Sequence, residues 1–247
     1  MKIAAFLIAF AYACAGCAAP VQLRIVAVND FHGHLQPDAG AQDNGALALA
    51  STLERLREGH AHTLLVSSGD LIGASPLPSA LARDEPTLAL FSHLGLQANT
   101  IGNHELDDGI AELRRQQALA GFPFLSANLV DTASGKPAFA PYRIVEVEGV
   151  RVALVGATVR NALKPLEPDS VPGLRLDDEA QALNAQAALL RAQGVHALVA
   201  LLHEGAGAQD AMVPAESCDA LSGPAREITE KLDPDYDLVL SAHTHAL

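Results

Sequence analysis

The chain has 247 residues, of which 49% are apolar and 18% are charged. A chain of this length and composition can bury a large core, and it is not an intrinsically disordered protein. The 29 acidic and 16 basic residues give a formal net charge of −13. This charge argues against a nucleic-acid groove or a basic membrane-binding surface, so we expect no nucleic-acid partner. An anionic small molecule can still bind where divalent cations reverse the local field.

The first residues have the pattern of a secretory signal. Met1-Lys2 precedes an apolar run, Ile3–Phe10, that is too short to span a bilayer comfortably. We therefore predict a signal peptide over residues 1–19 and a folded domain over residues 20–247. The mature protein is then expected outside the cytoplasm, either in the periplasm or anchored to a membrane.

Two cleavage sites are compatible with this leader. Ala15-Gly16-Cys17 resembles a bacterial lipobox, in which residues 1–16 are removed and Cys17 carries a lipid anchor, although Cys14 replaces the usual Leu. Cleavage after Ala19 is the alternative, but it leaves Pro20 in an unfavourable position just past the cut. The pattern favours the lipoprotein, with lipidation at Cys17.

Apolar runs typical of buried strands alternate with amphipathic segments along the rest of the chain. We predict strands over Leu23–Val28, Thr63–Val66, Phe122–Asn128, His196–Leu202 and Asp237–Ser241. We predict helices over Leu47–Glu58, Gly109–Ala120 and Asp177–Gln193, and a hairpin over Tyr142–Val147 and Val150–Val155. The predicted loops are the proline-rich segments Ser75–Pro78 and Lys164–Pro172. This alternation indicates a mixed α/β sandwich in one domain.

Five polar clusters directly follow apolar, strand-like runs. They are Asn29-Asp30-Phe31-His32-Gly33, Gly69-Asp70, Gly102-Asn103-His104-Glu105, His203-Glu204-Gly205 and His243-Thr244-His245. Any one of them alone is compatible with a local turn or a helix cap. Together they place metal-ligating residue types at the ends of neighbouring strands, where side chains converge in α/β sheets. They are numerous enough to hold two metal ions.

In order and approximate spacing, these clusters resemble the motifs of the calcineurin-like metallophosphoesterases. The segments that resemble the exported bacterial 5'-nucleotidase branch in particular are Asn29–Gly33, Gly102–Asp107 and Leu221–Pro224. The resemblance runs from about Leu23 to the C-terminus, and it departs at Ala242, where the family usually has Gly. It implies an α/β calcineurin-like metallophosphoesterase sandwich, with two mixed β-sheets flanked by helices.

The resemblance also implies the ligands of two divalent metal ions. One ion would be held by Asp30, His32, Asp70 and His245, and the other by Asp70, Asn103, His203 and His243. Asp70 would bridge the two ions. Carboxylate, imidazole and amide ligands suit Zn, Mn or Fe, whereas a structural zinc site normally includes thiolates. Two dications with two carboxylates leave a positive site that attracts a phosphate dianion.

The implied reaction is hydrolysis of a phosphate ester by a metal-bound hydroxide that attacks phosphorus in line. Asn103 and His104 would contact the phosphoryl group, and His104 would protonate the leaving ribose oxygen. Asp107 would orient that imidazole if a helix begins here, and a solvated acid at a helix start is the alternative. Asn128 is a further candidate for substrate contact.

The function that follows is a 5'-nucleotidase that releases phosphate from nucleoside monophosphates, a step of nucleotide breakdown. The alternatives within the same chemistry are a 2',3'-cyclic-nucleotide phosphodiesterase and a nucleotide-sugar hydrolase. In the family, a C-terminal nucleotide-binding domain normally follows the last motif, and a cysteine there pairs with the position of Cys218. We expect that domain to be absent from these 247 residues, so a metal-binding domain with little activity is a further alternative.

Overall fold

Strands and helices alternate along residues 20–37, 45–208 and 221–245, which the computed structural model describes. The strands are β1 (Arg24–Ala27), β2 (Thr63–Ser67), β3 (Leu96–Thr100), β4 (Phe124–Leu125), β5 (Leu129–Asp131), β6 (Lys136–Pro137), β7 (Tyr142–Val147), β8 (Val150–Thr158), β9 (Leu174–Leu176), β10 (Ala197–His203), β11 (Gly207–Ala208), β12 (Leu221–Ser222) and β13 (Leu238–Ser241). The helices are α1 (Gly45–Arg57), α2 (Leu77–Leu81), α3 (Glu85–Leu94), α4 (Gly109–Leu119), α5 (Glu179–Ala192) and α6 (Pro224–Thr229). Short 3₁₀ helices span His104–Leu106 and Pro168–Ser170.

Two four-stranded sheets form the centre of the structure. The first has the strand order β1–β2–β3–β4 and is parallel throughout. The second has the order β13–β10–β8–β7, in which β13, β10 and β8 are parallel and β7 is antiparallel to β8. Because parallel strands end at the same edge of a sheet, the segments that follow them emerge side by side.

The two sheets pack face to face, and helices cover their outer faces. Side chains between the sheets include Val66, Ala98, Leu125, Leu154, Val199 and Leu201. In β10 the alternating residues Leu198, Ala200 and Leu202 point the other way, into a core shared with α5 and α6. Helices α3 and α4 cover the first sheet with Phe91 and Leu113. This layering confirms the predicted α/β sandwich, although only the second sheet is mixed.

Most of the predicted elements are present, with shifted ends. The hairpin is confirmed, and its turn residues Glu148 and Gly149 have φ values of 48° and 79°, as a tight type I′ turn requires. The strand predicted over Phe122–Asn128 is shorter, since β4 has only two residues. The predicted loop Ser75–Pro78 is partly wrong because α2 begins at Leu77, where a proline in the first turn is tolerated.

The bounds of strand β3 were not predicted, because its interior carries polar side chains. Asn99 and Thr100 are both fully buried. Thr100 Oγ1 donates to the Leu201 carbonyl at 3.1 Å, and Asn99 Nδ2 donates to Glu105 Oε1 at 2.9 Å. Buried polar groups need such partners, and here one partner lies 101 residues away and the other lies in the motif that follows the strand. A pattern based on apolar residues does not reveal a strand of this kind.

The predicted signal peptide, the lipidation site Cys17 and the cysteine at position 218 lie outside the described residues. Among the helices that are described, none has both the length and the apolar character needed to cross a membrane.

Candidate metal centre

The predicted ligands lie together at the edge where strands of both sheets end. The contributing residues are Asp30 and His32 after β1, Asp70 after β2, Asn103 and His104 after β3, His203 at the end of β10, and His243 and His245 after β13. Parallel strands therefore gather side chains from distant parts of the chain at one point.

Six of these side chains form two neighbouring clusters. The inner cluster consists of Asp70, His203 and His243, and the outer cluster consists of Asp30, His32 and His245. Within each cluster, ligand atoms of the three residues lie within 4.8 Å of one another. Asn103 Oδ1 lies 3.1 Å from His203 Nε2 and so adjoins the inner cluster. The structure thus brings together all the residues of the two predicted ligand sets.

Asp70 lies between the two clusters. Its Oδ2 atom is 3.1 Å from His203 Nε2 in the inner cluster and 3.8 Å from His32 Nε2 in the outer cluster. Its Oδ1 atom accepts a hydrogen bond from the backbone N–H of His104 at 3.0 Å. A carboxylate that faces imidazoles of both clusters has the geometry of a bridging ligand.

The hydrogen bonds of two histidines show that these clusters fit cations. His32 Nδ1 lies 2.9 Å from the carbonyl oxygen of Gly73, and His203 Nδ1 lies 2.9 Å from that of Ser68. A carbonyl oxygen only accepts, so each Nδ1 must donate, and the Nε2 lone pair of the neutral ring faces its cluster. At His203 this lone pair meets the Asp70 carboxylate, which is also an acceptor. Two acceptors that converge need a proton or a cation between them. Imidazole nitrogen and carboxylate oxygen are metal ligands that suit Zn, Mn or Fe.

The backbone at the clusters is strained. Nine non-glycine residues in the described part of the chain have positive φ values between 46° and 81°, and five of them are predicted ligands. These five are Asp30, His32, Asp70, His243 and His245. The left-handed region costs roughly 1–2 kcal/mol for such a residue, although Asp and His tolerate it better than most. Strain of this kind persists where the surrounding structure imposes it, and it is concentrated at functional sites.

Glu105 holds the loops after β2 and β3 together beneath Asp70. Its buried carboxylate accepts hydrogen bonds from the backbone N–H groups of Asp70, Leu71 and Gly102 and from the Asn99 amide. Burial, with the negative charge of Asp70, raises the pKa of Glu105 to about 7. A Cβ at Gly102 would overlap the Asp70 carboxylate, so the close approach of the two loops requires glycine.

Asp70 and His203 stabilise positive charge between them. Burial raises the pKa of Asp70, but the hydrogen bond and charge of His203 and the backbone N–H of His104 outweigh it, so the pKa is lowered overall. Burial lowers the pKa of His203, but the hydrogen bond and charge of Asp70 outweigh it, so this pKa is raised overall. Burial and the nearby His203 charge lower the pKa of His243. The pair therefore favours a proton in the position where a cation would bind.

Hydrogen bonds between the two sheets fix the edge that carries the clusters. Asn29 Nδ2 donates to the carbonyl of Ser241 at 3.2 Å, and its Oδ1 accepts from the backbone N–H of Ser68 at 2.8 Å. The Asp30 carboxylate accepts from the backbone N–H of His243 at 3.0 Å. Asn29 belongs to the first motif, but its role was not predicted from the sequence.

The predicted pair of His104 and Asp107 is formed at the surface of the site. Asp107 Oδ2 lies 2.8 Å from His104 Nδ1, after the single 3₁₀ turn between them. The two side chains are 35% and 41% exposed. The imidazole of His104 meets that of His32 edge-on, with ring centroids 5.2 Å apart. A solvent-accessible imidazole therefore lies directly beside the outer cluster.

Asn128 is turned toward the protein interior. It is fully buried, and its Nδ2 donates to the carbonyls of Thr158 at 2.7 Å and Asp177 at 3.2 Å. Its Oδ1 accepts from the Thr158 backbone N–H at 2.8 Å and from Ser126 Oγ at 3.2 Å. These bonds link the ends of β8 and β9 to the segment before β5. They use the whole amide, so they give no support to the predicted substrate contact.

The fold and the clustered ligands define a metallohydrolase, and comparison with known proteins specifies its kind. The family model of the calcineurin-like phosphoesterases matches residues 23–247. The endonuclease YhcR of Bacillus subtilis (strain 168) is 31% identical over 247 residues, which cover 91% of this chain and 20% of that protein. The 5'-nucleotidase of Vibrio cholerae serotype O1 is 32% identical over 205 residues, which cover 77% of this chain and 37% of that protein. The crystal structure of the calcineurin-like phosphoesterase YfkN from Bacillus subtilis has a TM-score of 0.75 at 25% identity, covering 91% of this chain and 72% of that chain.

The chain belongs to the calcineurin-like phosphoesterase family. This confirms the resemblance that the five motifs carry. It also confirms the predicted enzyme class, a metal-dependent phosphoric ester hydrolase. The chain spans between a fifth and two fifths of the length of the two curated relatives.

Proposed function

We propose that this protein hydrolyses nucleoside monophosphates with two divalent metal ions, as a 5'-nucleotidase. The observation that carries the proposal is the Asp70 carboxylate, whose Oδ2 atom faces histidines of both clusters. A relative that is named a 5'-nucleotidase and is 32% identical supports the substrate class.

The two clusters would each hold one ion. The inner cluster with Asn103 would hold the first, and the outer cluster would hold the second, with Asp70 shared. The ions, when bound, would activate water as the nucleophile and neutralise charge on the phosphoryl oxygens. The protein holds the ligands in place through the Nδ1 hydrogen bonds of His32 and His203, which orient both rings.

His104 is the candidate general acid. Asp107 accepts the Nδ1 hydrogen bond, so the Nε2 atom of the same ring is free of that contact and can face the substrate. The imidazolium would donate its Nε2 proton to the leaving ribose oxygen, and Asp107 would stabilise the charged ring and fix its orientation. Asn103 would contact a phosphoryl oxygen.

The charge balance favours a small nucleotide over a polynucleotide. At a formal charge of −13, the surface repels a long polyanion, whereas a single phosphate needs only the local positive field of the ions. The relative named an endonuclease makes phosphodiester hydrolysis the second candidate. A cyclic nucleotide and a nucleotide sugar share that chemistry.

Hydrolysis of AMP in the presence of Mn²⁺ tests the proposal, with 2',3'-cyclic AMP, UDP-glucose and a short single-stranded DNA as alternative substrates and chromatography of the nucleotide products as the readout. We expect AMP to have the highest kcat/KM. His104→Ala should lower that value about 10²-fold because it removes the general acid. His93→Ala is the matched control, since this histidine is exposed at the end of α3, and it should leave turnover unchanged. Two bound ions without hydrolysis of any of these substrates would contradict the proposal and indicate a metal-binding domain without turnover.

We further propose that the leader within residues 1–19 directs export, that residues 1–16 are removed, and that Cys17 then carries the lipid that anchors the folded domain, residues 20–247, to a membrane. The apolar leader and the Ala15-Gly16-Cys17 pattern support this. Labelling with radioactive palmitate in a bacterial host should mark the wild-type protein and leave Cys17→Ala unlabelled. Retention of the unprocessed chain in the cytoplasm would contradict export.

A further inference from the structure

Asp84 is a buried carboxylate that lies behind the outer cluster. Asp84 is 6% exposed, and it has no role in the function proposed above. Its Oδ1 atom accepts a hydrogen bond from Ser75 Oγ at 2.6 Å, and its Oδ2 atom accepts one from the backbone N–H of Gly73 at 3.3 Å. Both oxygens therefore bind the short segment that follows the loop of Asp70.

That segment connects Asp84 to a predicted metal ligand. The carbonyl oxygen of Gly73 is the acceptor for His32 Nδ1 at 2.9 Å, the contact that turns the Nε2 lone pair toward the outer cluster. The N–H and the carbonyl of Gly73 thus link Asp84 on one side to His32 on the other. A Cβ at Gly73 would also overlap the carbonyl of His104, so the same segment packs against the candidate general acid.

The loop that carries His32 also rests on Asp84. A Cβ at Gly33 would come within 2.7 Å of Asp84 Oδ1 and 2.6 Å of Ser75 Oγ. Nothing larger than glycine fits at Gly33 without displacing these groups. The carboxylate therefore lies against Gly33, which follows His32 in the chain, and against Gly73, whose carbonyl bonds to the His32 ring.

The backbone of Asp84 is held in an unfavourable conformation. Its φ is 57°, and Arg83 before it has a φ of 53°. Two consecutive non-glycine residues in the left-handed region are both sterically unfavourable. Glycine would adopt this conformation without strain. What aspartate adds at this position is therefore its carboxylate.

We infer that Asp84 is a positioning residue for the outer metal ion, acting through Gly73 on His32. This inference rests on the proposed function only for the presence of metal. The carboxylate fixes the Gly73 carbonyl, the carbonyl fixes the tautomer and tilt of the His32 ring, and the ring presents its Nε2 atom to the outer cluster. Removing the carboxylate should weaken binding of one ion and leave the other unchanged.

Two substitutions at the same position separate this role from a general effect on folding. Asp84→Gly keeps the left-handed backbone and removes both acceptors. Asp84→Asn retains an oxygen that can accept from the Gly73 N–H, while its amide can donate to Ser75 Oγ. Asp237→Ala is the control for loss of a carboxylate-to-backbone hydrogen bond far from the site, because Asp237 Oδ2 accepts from the Leu198 N–H at 2.9 Å at the other end of β10.

The experiment is a titration of the metal-free proteins with Co²⁺ alone, in which calorimetry measures the dissociation constants and visible absorption reports the surroundings of each ion. We expect Asp84→Gly to raise one of two dissociation constants about 10-fold or more and to change the absorption of that ion. Asp84→Asn should lie within about threefold of wild type, which is the rescue that a positioning role predicts. Asp237→Ala should lower Tm without changing either constant.

Other results would overturn the inference. If Asp84→Gly lowers only Tm, or weakens both ions equally, Asp84 merely stabilises the fold. Ser75→Ala provides a milder variant should Asp84→Gly not fold, and a shift of the same constant by about threefold is expected. If the wild-type protein binds two ions without hydrolysing AMP, the proposed function fails, and the Co²⁺ titration still decides the role of Asp84.

Discussion

The inner and outer clusters use the same kinds of ligand but are held in different ways. In the inner cluster, Asp70 and His203 are almost completely buried, and His203 ends the central strand β10. In the outer cluster, the side chain of His245 is 58% exposed, and a cavity lined in part by Asp30 and His245 opens beside it. The inner cluster is therefore the more buried of the two, and the exposed histidine belongs to the outer cluster.

This difference predicts unequal sites. A preorganised, desolvated set of ligands binds a cation tightly, because little ordering or desolvation remains to be done. A cluster that depends on an exposed histidine must order that side chain when the ion binds. We therefore expect a tight inner ion that is part of the structure and a weaker outer ion that lies nearer the substrate.

The largest effect should come from the residue that the two clusters share. Asp70→Asn removes the negative charge and one of the two carboxylate oxygens, so both ions lose a ligand. We expect kcat/KM to fall by about 10³-fold or more, with loss of bound metal. Metal content and AMP turnover of the purified variant are the measurements.

The control for this substitution is Asp131→Asn, which makes the same chemical change in β5, outside both clusters. It should leave metal content and turnover unchanged. Two ions retained by Asp70→Asn would show that Asp70 does not bridge the clusters.

The two clusters can be compared directly with a histidine from each. His203→Ala should destabilise the metal-free protein by about 2 kcal/mol or more, since it opens a cavity and leaves Asp70 buried without its partner. His245→Ala should change that stability by less than about 0.5 kcal/mol and weaken only the second ion. Urea unfolding and Mn²⁺ titration measure the two quantities. Equal effects of the two substitutions on stability would remove the distinction between the clusters.

The hydrogen bond of Asp107 to His104 predicts a smaller effect. Asp107→Asn should lower kcat for AMP about 10-fold because it weakens the orientation of the imidazole, while metal affinity stays unchanged. Asp108→Asn alters the exposed neighbouring acid and is the matched control. A similar loss in both variants would indicate that only the charge at the start of α4 matters.

The smallest effect concerns pH. The raised pKa of His203 means that its proton stabilises the metal-free fold fully below the ordinary pKa of 6.5, and that this contribution is lost as pH rises through the raised value. Metal binding requires the neutral ring, so stabilisation by Mn²⁺ should instead grow with pH over the same range. Tm measured with and without Mn²⁺ from about pH 6 to about pH 9 tests both signs. Parallel curves with and without metal would contradict a shared position for proton and ion.

The ligands could be predicted from the sequence because each belongs to a short motif, and all but Asn103 follow a clearly apolar run. Asn29 and Asp84 support those ligands but could not be assigned in this way. Asn29 bonds a carbonyl 212 residues away, and Asp84 looks like a surface acid until its burial against Gly73 is seen. The bounds of strand β3 were not predicted because Asn99 and Thr100 interrupt its apolar pattern, and their partners lie outside the strand. Local patterns thus predicted the ligands, whereas tertiary contacts determine what orients them.

Electron paramagnetic resonance of the protein loaded with Mn²⁺ tests the central claim most directly, because two ions that share a carboxylate are magnetically coupled. We predict two ions per chain and the spectrum of a spin-coupled pair, which is lost in Asp70→Asn. Two ions that give only the six-line signal of isolated Mn²⁺, or no bound ion at all, would contradict the account.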